Sequence, residues 1–345
     1  MTYNSMEHTK ALIESYQREK LVSNVALRVG RGDDILGEIY SDKVDGCTLF
    51  DMASVTKIIV TTTLTLMAAD EGKLGFRDKV SRYFLVPQHY SGLEIFHLLT
   101  HTMGLGHKDL TKSHFTYETI AENILSLPPE GEVGREVRYS CPAFLILGKL
   151  LEKIYDESLD VLFRDKIAIP LKMKSSGFRP DTSRHHIINS NLKDCDLGIV
   201  NDYNCRYLGG VGGNAGLFSD IESVTRYVQM ILHDGGELLS NDVLNSALKN
   251  YTPGMSESRG LGFLYVDDNY TQTGGLFPVG SFGHCGHTGT SVFFNRESGL
   301  YVIILTDATI STVKKYGRED YTRVIAMRSE LHHAIQEDLR VYSLL

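Results

Sequence analysis

Two runs of strand-like sequence stand at opposite ends of this chain, and most of what lies between them reads as helix. Near the N-terminus, NVALRVGRGDDILGEIY (24–40) places two strand-like runs around a turn-rich GRGDD, the pattern of a β-hairpin. Near the C-terminus, TSVFFNRESGLYVIILTD (290–307) is two apolar strands about a short RESG turn. The arrangement that serves both ends is one antiparallel sheet built from N- and C-terminal segments, with the intervening helices inserted as a lobe. Helical patterns at 6–20 and from about 320 to 339 flank that sheet. The expected fold class is therefore α/β of the α+β type. Its sheet lobe takes residues 1–75 and 208–345, and its helical lobe takes 76–207. A cleft between sheet and lobe is the natural place for a site.

The chain has 345 residues, enough for one large domain or two moderate ones. Its 42% apolar and 23% charged content is that of a globular protein, and a net charge of −8 gives no electrostatic reason to bind nucleic acid or an anionic membrane. The N-terminal MTYNSMEHTKALIESYQREK carries charge throughout and lacks the apolar core of a signal peptide. The longest apolar runs are too short or too threonine-rich to span a bilayer. Five cysteines, an odd number without metal-ligand spacing, read as reduced thiols in a cytoplasmic protein. No cofactor or metal is expected, and the partner is a small-molecule or peptide substrate.

Chemistry is suggested first by Ser-x-x-Lys, which occurs at Ser54/Lys57, Ser190/Lys193, Ser246/Lys249 and Ser311/Lys314. At least three of these are accidents. Ser190 and Ser311 lie in polar loops, and Ser246 lies on a short helix whose face is solvated. Ser54 follows the strand-like TLF and opens a helix that ends near DEGKLG, where Gly72 and Gly75 suit a C-cap. Lys57 shares its helix face. An N-capping serine is the alternative reading at this point.

A serine hydroxyl is a weak nucleophile that needs a base and a place for the oxyanion. RYSCPAFLILGKLLEK puts Tyr139 at the mouth of a helix, with Pro142 near its first position. FGHCGHTGTSVFF puts a Gly-rich turn and two histidines at the head of a strand. With these residues the chain resembles the serine β-lactamase and penicillin-binding protein superfamily, closest to the class C β-lactamase-like hydrolases and esterases. LLTHTMGL (98–105), GGVGGNAGLFS (209–219) and FGHCGHTGTSVFFNRESG (282–299) carry the same likeness in the right order. The resemblance implies an acyl-enzyme mechanism. Ser54 is the nucleophile, Lys57 and Tyr139 move protons, and His284 gives electrostatic support. Cys141, Cys285, Gly286 and His287 then face the substrate. The backbone N–H groups of Ser54 and of a residue after the triad hold the oxyanion. Unperturbed, Lys and Tyr titrate near pH ~10, so a shift of roughly 3 units, costing about 4 kcal/mol, has to come from burial and mutual charge.

The chain departs from that family in two motifs. Tyr-x-Asn is here Tyr139-Ser140-Cys141, and none of the 18 tyrosines has Asn two residues later. The Lys-Thr-Gly or His-Thr-Gly triad is His284-Cys285-Gly286, with His287-Thr288-Gly289 as a competing register. Both changes weaken the case for β-lactams or a free D-Ala carboxylate and leave room for esters, amides or peptides. A D-Ala-D-Ala carboxypeptidase or weak β-lactamase is the enzymatic alternative. A catalytically silent binding or sensor member of the fold is the other. His97 and His101 are spaced four apart as on a helix, but without a third ligand nearby a structural role is preferred to a metal pair. The glycines of LGGVGGNAG lack the Walker Lys-Ser/Thr and read as a tight turn against the cleft.

Overall fold

The computed structural model describes residues 6–112, 114–191, 196–308 and 322–341. Helix α1 (Glu7–Arg18) buries Thr9, Ile13 and Tyr16, one stripe of its surface. Strands β1 (Val25–Arg31) and β2 (Asp34–Tyr40) form the predicted antiparallel hairpin, with a bulge between Val29 and Gly30 and Gly32 in the turn at φ +57°. After β3 (Phe50–Asp51) the chain winds through a 3₁₀ turn (Ala53–Val55) and a π-helical segment (Lys57–Thr62) before settling into α2 (Thr63–Asp70).

That segment was expected to be plain helix, and its threonines account for the difference. Residues 57–65 are buried on every side. The Thr63 hydroxyl donates to Ile58 O at 2.9 Å, five residues back, while Thr61 donates outward to Gly213 O at 2.6 Å. Side-chain hydroxyls that compete for backbone carbonyls favour such local rewinding. Gly72 ends α2 at φ +68°, as its sequence position predicted. Gly75 has another task, donating its N–H to Asp78.

The middle of the chain supplies α3 (Ile95–Leu99), α4 (Ile120–Ser126), α5 (Cys141–Tyr155), α6 (Leu159–Phe163), β4 (Gly177–Phe178) and α7 (Tyr203–Tyr207). Then follow β5 (Leu217–Ser219), α8 (Ile221–Leu232), α9 (Asn241–Ala247), β6 (Leu264–Tyr265), β7 (Phe282–Cys285), β8 (Ser291–Phe294), β9 (Leu300–Thr306) and α10 (Thr322–Val341). None of the described helices is long and apolar enough to cross a membrane.

The main sheet has the order β2-β1-β9-β8-β7-β6 and is antiparallel throughout. N- and C-terminal strands meet at its centre, where Val25 pairs with Thr306 and Arg31 with Leu300. Alternation sorts the strand residues onto two covered faces. Leu300, Val302 and Ile304 pack with Val25, Leu27 and Val29 under α1 and α10. Tyr301, Ile303 and Leu305 face the larger core, which runs on through Val55, Leu98 and Leu147. A strand buried on both faces shows no polar alternation, which is why LYVIILT reads as one apolar run. Strand β7 carries His284 where the sequence suggests a turn at the head of β8. Gly283 makes β7 possible, because a β-carbon there would stand 2.2 Å from Val292 O and 2.4 Å from the Phe293 ring. The turn itself is 286–290. A second small sheet, β3-β5-β4, pairs Phe50 with Ser219 and Gly177 with Phe218.

Candidate active site

Ser54 is not an N-cap. Met52 holds that position and makes no side-chain capping bond, while Ser54 sits inside the 3₁₀ turn with its hydroxyl free for other partners. The turn is strained, with Ala53 at φ +45°. Asp51 holds it in place: its carboxylate accepts the Ala53 N–H at 2.8 Å and the Asn201 N–H at 2.6 Å. Burial pushes the Asp51 carboxyl up to about 6, against the pull of those two backbone bonds. Gly286 closes the turn from the other side. A β-carbon there would lie 2.9 Å from Met52 O and 3.2 Å from Ala53 Cβ, so only glycine lets the end of β7 approach this closely.

Lys57 is fully buried, and its ammonium has three acceptors for three protons: Ser54 Oγ at 2.9 Å, Asn214 O at 2.8 Å and Cys141 Sγ at 3.5 Å. Asn214 belongs to the Gly-rich LGGVGGNAG. That loop is a tight packing element as expected, since a β-carbon on Gly213 would sit 2.1 Å from Phe144 O in α5. Tyr139 donates its hydroxyl to the same Ser54 Oγ at 2.6 Å, and the Lys57 nitrogen lies 5.1 Å from the centre of its ring. Ser140 caps α5 by accepting the Ala143 N–H at 3.1 Å, which fixes Tyr139 and Cys141 on either side of the cap.

His101 steadies this corner. It lies beyond the end of α3 at φ +58°, its Nδ1 accepts the Ser140 N–H at 3.0 Å, and its ring packs 4.8 Å from that of Tyr139. His97 instead closes a capping box with Glu94. The two histidines are thus not on one helix face. Among the described residues no group of three or more His, Cys, Asp or Glu side chains is placed to hold a metal.

His284 lies in β7 with its ring 6.2 Å from that of Tyr139. Its Nδ1 is 2.8 Å from Cys285 O, so Nδ1 carries the proton and donates. Nε2 is then a lone-pair acceptor, without a partner among the described residues. Burial, then the positive charges of Arg259 and Lys57, hold the imidazole well below its ordinary range. It is neutral, which replaces the expected charged support with an acceptor. Cys285 points to the opposite side of β7, 3.6 Å from the Tyr270 hydroxyl. His287 is exposed at the rim shared by two cavities.

Those cavities meet at Ser54 and Tyr139. The larger, about 490 Å³, runs past His284, Cys285, Arg259 and Arg328. The smaller, about 360 Å³, runs past Cys141, His107 and Asp202. All eight residues singled out from sequence are in or against this region. Of the other Ser-x-x-Lys pairs, Ser246 spends its hydroxyl on Asp242 O in its own helix, and Ser190 is buried beside the loop that holds Asn201. Lys193 and the Ser311/Lys314 pair lie outside the described residues.

A sequence profile of the Beta-lactamase family matches residues 9–326. The chain belongs to the Beta-lactamase family. Among curated relatives, a Salmonella typhi protein named "Putative D-alanyl-D-alanine carboxypeptidase" is 28% identical, over 79% of this chain and 75% of its own. Among solved structures, a penicillin-binding protein homologue from Caulobacter crescentus superposes with a TM-score of 0.74 at 14% identity, covering 97% of each chain. EstCE1, described as a hydrolase with promiscuous acyltransferase activity, superposes with a TM-score of 0.72 at 20% identity, covering 94% of this chain and 98% of its own. At these identities the structural likenesses speak for the fold.

Within this Beta-lactamase family member, several residues at the site gave no sequence signal. Arg259 is buried over Tyr139, with its Cζ 5.6 Å from the ring centre. Its Nη2 bonds Glu257, and Nε and Nη1 lack partners among the described residues. Arg328 reaches from α10 to the carbonyls of Gly286 and Gly289 and braces that turn. His107 and Asp202 come from loops remote in sequence. Spacing along an element could flag none of them, because each reaches the site through tertiary packing alone.

Proposed function

We propose that this chain is a serine hydrolase that acts through an acyl-enzyme on an ester, amide or peptide. The observation that carries the reading is the convergence of Lys57 Nζ and Tyr139 Oη on one oxygen, Ser54 Oγ, at 2.9 and 2.6 Å. In this reading Ser54 attacks the substrate carbonyl while its proton passes to the Lys57–Tyr139 pair. The developing oxyanion is met by the backbone N–H groups of Ser54 and His287. The same pair returns the proton to the leaving group, and water then releases the acyl group from Ser54. The relatives' names and EstCE1 support hydrolysis of acyl bonds. A D-Ala-D-Ala carboxypeptidase activity is the second reading, favoured by those names and by the two buried arginines in the larger cavity. Free thiols at Cys47, Cys141, Cys205 and Cys285 support a cytoplasmic location within the same proposal.

A fluorophosphonate probe should label Ser54 in the intact protein, and p-nitrophenyl esters should turn over faster than nitrocefin. An unlabelled protein would point to a silent binding member of the family. D-Ala release from a D-Ala-D-Ala peptide faster than ester cleavage would favour the second reading.

His284 is assigned as a neutral acceptor in the wall of the larger cavity, its ring 6.2 Å from that of Tyr139. His284→Ala is expected to lower kcat by roughly 10²–10³-fold, the usual scale for one lost transition-state contact. His287→Ala should cost less than about 10-fold, because a backbone donor tolerates a change of side chain. Steady-state kinetics of both variants decides the register, and the reverse ranking would place the triad three residues too early.

A further inference from the structure

Where the family's Tyr-x-Asn would set an amide, this chain sets a thiol, and the surroundings of that thiol are unusual. Lys57 is fully buried, and no carboxylate among the described residues pairs with it. Its three acceptors are a hydroxyl, a carbonyl and Cys141 Sγ. A buried ammonium draws its counter-charge from what it touches. Of these three groups only the thiol sheds a proton near neutrality. His107 lines the same cavity as Cys141, and the influence of Cys141 is the largest cause lifting the imidazole above its ordinary value. Cys141 lines the 360 Å³ cavity, which gives small molecules a route to it.

We propose that Cys141 is a second nucleophile of this site, a thiolate set in the wall of the narrower cavity and open to covalent modification by small, uncharged, soft electrophiles.

Each element packed around the sulfur contributes a charge or a titrating group. Lys57 comes from the π-helical segment, His107 from the loop after α3, and Tyr139 from the turn before α5. Asp202 comes from the cap of α7, and Cys205 from α7 itself. Burial alone would raise the Cys141 thiol, and Asp202 adds to that. Lys57 and His107 outweigh both and leave it below the ordinary thiol value. The other described thiols lack this setting. Burial, then Asp202, drives Cys205 well above the ordinary value, and its Sγ bonds Ala215 O at 3.1 Å. Cys47 is exposed but has acidic neighbours, Asp220, Asp45 and Glu222, and is raised by slight burial and by them. In the reaction with iodoacetamide the thiolate attacks the methylene carbon, a C–S bond forms, the C–I bond breaks and iodide carries away the negative charge. The resulting thioether is neutral, so Lys57 loses the counter-charge that helps hold its ammonium above the ordinary value.

The proposal does not require Ser54 to be a nucleophile, so the test uses the intact Ser54→Ala protein, in which hydrolysis plays no part. It is treated with limiting iodoacetamide from pH 5 to 10, and the modified peptides are assigned by mass. Cys141 should react at least about 10-fold faster than exposed Cys47 at pH 7. Its rate should follow a titration with a midpoint below the ordinary thiol value of about 8.5. That midpoint should rise when Lys57→Met or His107→Gln is added; the second variant, on the cavity wall, serves if the first does not fold. The proposal is overturned if Cys47 reacts first while Cys141 stays unmodified in the folded protein. A Cys141 midpoint at or above the ordinary value, unmoved by the added substitutions, overturns it as well.

Discussion

Ser54→Ala is expected to lower kcat for p-nitrophenyl ester hydrolysis at least about 10⁴-fold, while Ser190→Ala, Ser246→Ala and Ser311→Ala stay within about twofold of the parent. Sequence spacing treats the four serines alike, and geometry separates those that can be compared. Ser54 Oγ has two proton-bearing partners, a fully buried lysine and a half-buried tyrosine, and Ser54 lines both cavities. Ser246 bonds back to its own helix at 2.9 Å, is half-buried, and lines neither of these two cavities. Ser190 is 2% exposed, so its loss disturbs packing and shows up in the melting temperature rather than in kcat. Ser311 is included because its spacing is the same. The Ser54 variant should keep its fold, since Asp51, Gly286 and the Thr288 hydroxyl, which donates to Asp51 O at 2.9 Å, hold the turn without the serine side chain. Activity within 100-fold of the parent in a folded Ser54→Ala protein would sink the assignment.

The parts of the fold legible in the sequence are those whose signal is local. The β1–β2 hairpin shows in two apolar runs about GRGDD, α5 in Ser140 and Pro142 ahead of a long apolar helix, and α8 in its strong amphipathic period behind the Asp220 cap. The Ser54–Lys57 pair was legible for the same reason, because three residues on a helical turn face one way. Strand β7 was not, since four residues, one of them glycine, carry almost no period-2 signal and owe their state to β8 alongside. The two-residue strands β3 and β4 exist only through pairing with β5, from partners more than 38 residues away in the chain. The π winding after Ser54 was hidden because helix propensity does not say where a threonine hydroxyl will donate. At the site, Tyr139 and His284 could be named only through resemblance to a family. Arg259, His107 and Asp202 lie outside the motifs that carried the resemblance, and each became visible only when distant loops were brought to one cavity.

Lys57→Met and Tyr139→Phe are each expected to lower kcat by roughly 10³-fold, about 4 kcal/mol, and the double variant should lose little more than either alone. Two independent contributions would sum to about 8 kcal/mol, or a 10⁶-fold loss, so the outcomes are far apart. Shared geometry is the reason to expect non-additivity. Both groups reach one oxygen, and the ammonium lies 5.1 Å from the centre of the phenol ring. Burial raises the Tyr139 hydroxyl, Lys57 pulls it back, and the phenol ends above its ordinary value. Burial lowers the Lys57 ammonium, Cys141 and Tyr139 outweigh it, and the lysine also ends above its ordinary value. At neutral pH the resting pair is thus ammonium plus phenol, and neither can accept the Ser54 proton until the pair has shed one. The sign follows: a base whose pKa is raised is active above that value and silent below it. Consequently kcat/KM should climb steadily as pH rises above 7, along a limb that belongs to the pair rather than to either residue. In Tyr139→Phe the limb should move, because Lys57 then titrates without the phenol beside it. Multiplicative losses in the double variant, or a flat profile from pH 6 to 9, would show that Lys57 and Tyr139 do not share one proton path to Ser54.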